Sequence, residues 1–489
     1  MTAADARTPP ADIERAAVRG AAWSGLQQWA TSLVSLAVFI VLGRLLTPTA
    51  FGLVASANVV ILLFRVIVDQ GFSRVLVQRS ELSDSEVDTA FWTALGTGII
   101  FTGVVAASAP AVALLFSEPE LTDIVRALSP IFLLSALDST QSALLERAMR
   151  FRAQAMRRVV AVTVSAAVAL TLAALGAGVW ALVGQALTLE VVTVVLLWSI
   201  SHWRPSRRFS TTRFGELFGF GIRYSGIRIL WYLSQNGDNF LIGVFLGPVA
   251  LGFYVVAYRV FVVVNELVVM TINRVALTTF ARLQGDTQAL NQAFYRATVT
   301  TAIVGFPIYT GLALTAAALV PLVFGEKWTP SVPVLEALTL AGIVQCLDAF
   351  THNLVVAVGR VRNELSWTAA SVGALLVAFA VSVPFGIVVV ALALGVEMLV
   401  AWPVRIWMIR QWTGISLRRY FGPYPRLIGA TSVMSVAVLL VGGVLGDEAR
   451  WLALVAQILT GLLVYPVALR VLAPSEMRDL LGALTRLRR

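Results

Sequence analysis

The sequence predicts an all-α integral membrane protein of about fourteen transmembrane helices, arranged as two six-helix lobes in a parallel pseudo-two-fold repeat around a central cavity, plus two C-terminal helices. Composition is the first observation behind this. Of 489 residues, 58% are hydrophobic and 13% charged, with mean hydropathy +0.83, whereas a soluble domain carries about a quarter charged residues. The second is an internal repeat at roughly 200 residues: Ser24-Gly25 returns as Ser225-Gly226, and Thr47-Pro48-Thr49-Ala50-Phe51-Gly52 as Gly247-Pro248-Val249-Ala250-Leu251-Gly252. Ala90-Phe91-Trp92 matches Ala293-Phe294-Tyr295, Leu137-Asp138 matches Leu347-Asp348, and Arg150-Phe151-Arg152 matches Arg360-Val361-Arg362. The third is a strict alternation of basic and non-basic loops.

A bilayer-spanning helix needs about twenty apolar residues. On that measure the spans fall near 21–43, 51–72, 90–115, 122–146, 159–175, 179–200, 214–236, 249–272, 296–320, 332–356, 366–383, 386–409, 427–446 and 451–472. The first span is too long for a signal-peptide core and is expected to be retained. Pro384 and Gly386 divide the stretch 366–409. The expected domains are a tail at 1–20, an N-lobe at 21–205, a C-lobe at 206–412, two further helices at 413–473 and a basic tail at 474–489.

Lys and Arg are retained on the cytoplasmic side of a bacterial membrane. Arginines precede span one (Arg7, Arg15, Arg19) and follow span two (Arg74, Arg79), span four (Arg147, Arg150, Arg152, Arg157, Arg158) and span six (Arg204, Arg207, Arg208, Arg213). They return after span eight (Arg274, Arg282), span ten (Arg360, Arg362) and span twelve (Arg410, Arg418, Arg419, Arg426), and in the tail. The other loops hold Arg44, Arg126, Lys327 and Arg450 amid Glu118, Glu120, Asp123, Glu326, Asp447 and Glu448. Both termini are therefore expected in the cytoplasm. Topology and attraction to anionic lipid account for the net charge of +10 without nucleic acid.

Scarcity excludes several chemistries. One cysteine, Cys346, rules out an intrachain disulfide or a cysteine zinc site. Two histidines, His202 and His352, cannot form an HExxH site, and the one lysine, Lys327, stands outside any Gly-Lys-Ser/Thr phosphate loop. No metal, cofactor or catalytic residue is expected. No loop is long enough for an outer catalytic domain, so an enzyme is not expected either.

Polar residues inside the spans point to a cavity. Span one carries Ser24, Gln28, Thr31 and Ser35 on one helix face. Its repeat partner, span seven, carries Arg228, Tyr232, Gln235 and Asn236, with Arg223 nearer the cytoplasmic end. Arg65 lies inside span two and Arg259 inside span eight. A charge at bilayer centre costs about 2.5–3.5 kcal/mol on insertion scales, so such residues usually face the protein interior. Arginine's planar fork suits phosphate. Asp138 and Asp348 occupy matching repeat positions, and Ser142 matches His352. Asp138, Asp348 and His352 either bind a coupling ion, H⁺ or Na⁺, or hold helices together. Two membrane halves around a midplane site is a design of alternating-access transporters.

The opening Gly20-Ala21-Ala22-Trp23-Ser24-Gly25, the turn Leu45-Leu46-Thr47-Pro48-Thr49-Ala50-Phe51-Gly52, the basic turn Glu146-Arg147-Ala148-Met149-Arg150-Phe151-Arg152 and the segment Leu246-Gly247-Pro248-Val249-Ala250-Leu251-Gly252-Phe253-Tyr254 carry a resemblance over essentially the whole chain. The sequence resembles the Wzx-type polysaccharide flippases of the multidrug/oligosaccharidyl-lipid/polysaccharide exporter superfamily, in the colanic-acid-exporter-like branch. The resemblance implies a two-lobed bundle that moves an undecaprenyl-diphosphate-linked oligosaccharide from the inner to the outer leaflet of the cytoplasmic membrane. It implies an ion gradient or membrane potential as the driving force, and polysaccharide polymerase or assembly proteins as partners. Three other readings stand beside it. A peptidoglycan lipid-precursor flippase usually carries charges in its first helix, and residues 20–43 have none. A multidrug or cation antiporter would favour an acidic cavity. A membrane glycan polymerase or ligase would need larger outer loops.

Overall fold

The computed structural model describes residues 28, 31–68, 76, 82–270, 280, 282–283, 285–445 and 450–478, with the side chains of 67–68, 212–214, 216–227, 230 and 270 outside that description. The expected tail at 1–20, residues 479–489 of the expected tail at 474–489, most of span one before residue 31, and Arg74, Arg79 and Arg274 lie outside the described residues.

Regular structure among the described residues is helical throughout. Eleven helical segments there are long and apolar enough to cross a bilayer, with a shorter apolar helix, α1, at Thr31–Leu45. Outward-facing Leu114, Val444 and Leu463 are 71–85% exposed. Such exposure suits a lipid-facing surface, where hydrocarbon replaces water and only backbone groups paired within the helix are tolerated. This is a multi-pass membrane protein. The chain divides into two compact units, residues 1–252 and 253–489.

The first unit contains α2 (Pro48–Val68), α3 (Asp84–Leu115), α4 (Leu121–Leu128), α5 (Ile131–Arg147), α6 (Phe151–Ala174), α7 (Val179–Ile200) and most of α8 (Thr211–Asn265). Its core joins Leu53, Ala57 and Ile61 of α2 to Val105 and Ala109 of α3, Ile124 of α4, Phe132 of α5 and Val183 of α7. Small residues bring the helices close: a Cβ on Gly98 would lie 2.7 Å from the Ala136 Cβ. Ser83 caps α3 in a reciprocal capping box with Glu86. Just above that cap, the segment 201–210 is strapped down. The Trp92 indole donates to the Ser206 carbonyl (2.7 Å), the Ser206 amide to Asp88 (3.0 Å) and the Ser210 amide to the Thr89 hydroxyl (3.1 Å).

The expected span 122–146 is broken into α4 and α5 at Ser129-Pro130. Pro130 has no amide hydrogen for the helix ladder, so it starts a new helix better than it continues one. Spans seven and eight form the single run α8, interrupted at Gly247 with φ 80°, a conformation natural to glycine. The repeated turns do more than start spans. A Cβ on Gly52 would lie 1.7 Å from the Pro248 carbonyl oxygen, and one on Gly252 would lie 2.0 Å from the Pro48 carbonyl oxygen. Each Pro-x-x-x-Gly turn thus receives the backbone of its own repeat.

In the second unit, α9 (Thr287–Phe324), α10 (Val332–Asp348) and α13 (Ile387–Thr413) pack together. Beside them lie α11 (Thr351–Ala357), α12 (Val361–Ser382), α14 (Leu417–Phe421), α15 (Tyr424–Leu445) and α16 (Arg450–Leu472). The expected span 332–356 is divided after Asp348, where the Thr351 hydroxyl donates to the Asp348 carbonyl and carboxylate at 2.7 Å each. Between α12 and α13 a short 3₁₀ turn, Val383–Phe385, precedes Gly386 at φ 95°, where Pro384 and Gly386 predict a break. Tyr420 anchors α14: its ring stacks on Phe294 at 5.6 Å, and its hydroxyl donates to the Leu347 carbonyl (2.9 Å) while accepting from the Trp402 indole (2.9 Å). The two last helices dock on α9, with the Tyr465 hydroxyl donating to the Ile303 carbonyl at 2.8 Å.

Gly52→Ala or Gly252→Ala would press a methyl group into the partner turn's backbone. Each substitution is expected to destabilise the detergent-purified protein by about 1–3 kcal/mol, as overpacking does, read as a lowered Tm. Gly103→Ala, where a Cβ meets nothing within 4 Å, is the neutral control.

Candidate substrate-binding site

The apolar cores leave few charges inside the spans, and each has a definable environment. In the first unit, Arg65 in the last turn of α2 meets Glu190 of α7, Nη1 to Oε1 at 2.9 Å, with the arginine side chain 36% exposed and the glutamate 12%. Tyr232 on α8 is buried and donates its hydroxyl to the Val59 carbonyl of α2. The Pro248–Gly52 and Tyr232–Val59 contacts together make α2 and this part of α8 antiparallel neighbours. Arg65 follows Val59 by six residues, and Arg228 precedes Tyr232 by four. At 1.5 Å per residue, the two arginines lie about 9 Å and about 6 Å along their helices in the same direction from one contact. Their charges therefore stand at similar depth on adjoining helices.

The other expected residues fall out as follows. Arg228 is half-buried, Asn236 is half-buried with its amide donating to the Tyr232 carbonyl (3.3 Å), and Gln235 is exposed. Gln28 is exposed, donating to the Ser32 hydroxyl (3.4 Å), and its carbonyl accepts from Thr31 (3.1 Å). The side chain of Arg223 lies outside the described residues. Arg259, on the α8 segment belonging to the second unit, is half-buried and has no ion-pair or hydrogen-bond partner among the described residues.

The repeat-matched acids are both ion-paired. Asp138 accepts from Arg157 of α6 at 2.6 Å and from Ser142 at 3.0 Å, and Arg157 also donates to the Ser142 hydroxyl at 2.9 Å. Asp348 accepts from Arg405 of α13 at 3.0 Å. The same guanidinium reaches Glu364 of α12 at 2.5 Å, and His352 of α11 meets Glu364 at 2.8 Å. Glu364 and Arg405 have side chains 7% and 13% exposed, while that of His352 is 63% exposed. The first cluster balances one acid with one guanidinium. The second sets two acids against one guanidinium and a titratable ring.

Sequence reasoning missed Glu190, Arg157, Arg405 and Glu364 as partners. Arg157 was expected to sit in a basic loop, yet α6 begins at Phe151 and carries it into the second helical turn. One signal was present: matched intramembrane acids require counter-charges, and Arg157 and Arg405 stand towards the ends of their apolar helices.

Removing Arg405 would leave Asp348 and Glu364 without the guanidinium that bridges them. Arg405→Ala is expected to lower stability by about 3–5 kcal/mol, the scale for breaking a buried ion pair. Adding Asp348→Asn and Glu364→Gln should recover most of the loss in thermal unfolding of the purified protein.

Comparison with known proteins places the chain. The family model described as "Polysaccharide biosynthesis protein" matches residues 41–333. The teichuronic acid biosynthesis protein TuaB of Bacillus subtilis (strain 168) is 25% identical over 430 residues, covering 87% of this chain and 88% of that protein. The lipopolysaccharide biosynthesis protein WzxC of Escherichia coli (strain K12) is 28% identical, covering 70% of each. The succinoglycan biosynthesis transport protein ExoT of Rhizobium meliloti (strain 1021) is 27% identical, covering 68% of this chain and 67% of that one. Among solved structures, the inward closed lipid II flippase MurJ is similar in fold, with TM-score 0.76 and 12% identity over 91% of this chain and 98% of that one. An inward-facing multidrug resistance MATE transporter of the MOP superfamily follows at 0.61 and 18% identity, covering 78% and 94%. With more than half its length matched by the family model, the chain belongs to the polysaccharide biosynthesis protein family.

Proposed function

We propose that this chain is an alternating-access flippase. Its cargo is an undecaprenyl-diphosphate-linked oligosaccharide, moved from the inner to the outer leaflet of a bacterial cytoplasmic membrane for polysaccharide assembly. The observation that carries the reading is Arg259: a half-buried, mid-span guanidinium without a partner among the described residues. A cation held in that position is costly unless a ligand or water receives it. The diphosphate is the anionic part shared by every such cargo, and a guanidinium fork offers it two parallel charge-assisted hydrogen bonds.

Arg65 and Arg228 supply the same chemistry in the first unit. Glu190 neutralises Arg65 while no anion is present, and the arriving diphosphate competes for that guanidinium. Gln28, Gln235 and Asn236 contribute neutral donors and acceptors suited to sugar hydroxyls, with Arg223 nearer the cytoplasm. The polyprenyl tail stays in lipid while the head crosses. The lobes expected at 21–205 and 206–412, the cytoplasmic placement of both termini and a polymerase partner belong to this same reading. The chain's work is transport rather than bond-making, consistent with relatives named for biosynthesis and transport of polysaccharides.

Arg259→Ala, at normal protein abundance, should reduce delivery of labelled lipid-linked sugar to the outer leaflet by about ten- to a hundredfold, the value of a hydrogen bond to a charged group. Arg259→Lys should retain part of the activity. Unchanged delivery by a variant lacking both Arg228 and Arg259 contradicts the assignment.

A further inference from the structure

Among the described residues, Glu397 is a mid-span carboxylate that the charge inventory leaves unexplained. Asp138, Asp348, Glu364 and Glu190 all have cationic partners. Glu397 does not: among the described residues it has neither a hydrogen bond nor an ion pair. It stands ten residues into the 27-residue helix α13, about 15 Å from its outer end, and so near the middle of the bilayer.

Glu397 lines a groove of about 490 Å³ between α12 and α13. Small side chains open the groove, among them Ala370, Ala374, Ala378 and Ala393. Its polar lining besides Glu397 is Ser371 and the indole of Trp367. At the cytoplasmic end, Trp367 lies one turn from Glu364 and Val404 is next to Arg405. The groove therefore ends against the cluster in which Arg405 bridges Asp348 and Glu364, and Glu364 meets the exposed ring of His352.

We propose that Glu397 is a proton-carrying group of the second unit, loaded from the cytoplasmic side through His352 and Glu364. The proposal rests on the transport reading for its purpose. A proton from cytoplasmic water adds to the His352 ring, passes to the Glu364 carboxylate and leaves the ring neutral. It then travels along the groove, past the Ser371 hydroxyl, to make Glu397 a neutral carboxyl group that lipid-like surroundings tolerate. The donor set favours a proton over a metal ion, since a hard cation takes about six oxygen ligands and this groove offers a carboxylate and one hydroxyl. Among the described residues no group of three His, Cys, Asp or Glu side chains is placed to hold a metal.

The elements packed on α13 present a short list of other charges. They are Asp348 and Glu336 from α10, His352 from α11, Arg362 and Glu364 from α12, and Arg418 and Arg419 from α14; α13 itself adds Arg405 and Arg410. Arg405 is committed to Asp348 and Glu364, and Arg419 lies over the Tyr295 ring at 5.1 Å. Among the described residues Glu397 is thus left with no counter-cation, so that taking up a proton neutralises it.

Dicyclohexylcarbodiimide, which modifies protonated carboxyl groups in apolar surroundings, tests this on the full-length protein in lipid nanodiscs. Labelled positions are mapped by mass spectrometry across the range where carboxyl and imidazole groups titrate, about pH 5 to 8. The expected result is label at Glu397 that falls about tenfold per pH unit above its midpoint, with Asp138 and Asp348 unlabelled. No label at Glu397 at any pH, or label equal to that on the ion-paired acids, overturns the proposal. In a second arm, vesicles with an imposed pH gradient are assayed for movement of lipid-linked sugar. Wild type should respond to the gradient and Glu397→Gln should not; a preserved response in Glu397→Gln also overturns it. Wild-type protein that moves no lipid-linked sugar would defeat the flippase reading alone, because the labelling arm still decides the role of Glu397.

Discussion

A charge inside a bilayer must be paired, hydrated or kept for a ligand, and this constraint organises the whole molecule. Hydrocarbon offers no hydrogen bonds, so every unmatched ion raises the free energy of the fold. Most intramembrane ions here obey by pairing within a unit: Asp138 with Arg157, Asp348 and Glu364 with Arg405, Arg65 with Glu190. Arg259 and Glu397, among the described residues, depart from the rule. One is a cation suited to an anionic headgroup and the other an acid suited to a proton. Paired ions hold helices together, whereas an unpaired ion keeps its charge available to a ligand or a proton.

The scaffold that positions these groups depends on close approach. The Pro-x-x-x-Gly turns at 48–52 and 248–252 accept each other's backbone, which sets α2 beside α8. Tyr232 then fixes the register by donating to Val59. That register places Arg65 and Arg228 at similar depth. A sequence motif that looks like a simple helix start therefore sets the relative depth of two arginines several turns away.

Hydropathy made the helical class legible, because it is a long-range average that survives local irregularity. Helix breaks at Ser129-Pro130 and after Asp348 were not legible, since each falls within a continuous apolar run and is decided by a proline or a side-chain hydrogen bond. The arginines at 65, 228 and 259 were found from the sequence by depth alone. Their differing states were not, because Glu190 approaches Arg65 from a helix over a hundred residues away. Likewise Glu397 reads as one acid among several until the pairing of the others is known. Sequence locates an intramembrane charge, whereas only packing shows whether it is already spent.

Binding of the bare headgroup tests the central claim most directly. Native mass spectrometry of the purified protein with undecaprenyl diphosphate or undecaprenyl monophosphate removes the glycan and the transport cycle from the question. If mid-span guanidinium groups grip the phosphates, wild type retains the diphosphate lipid in preference to the monophosphate, and Arg259→Ala loses that preference. Equal retention of both lipids, or a preference untouched in Arg259→Ala, would contradict the account.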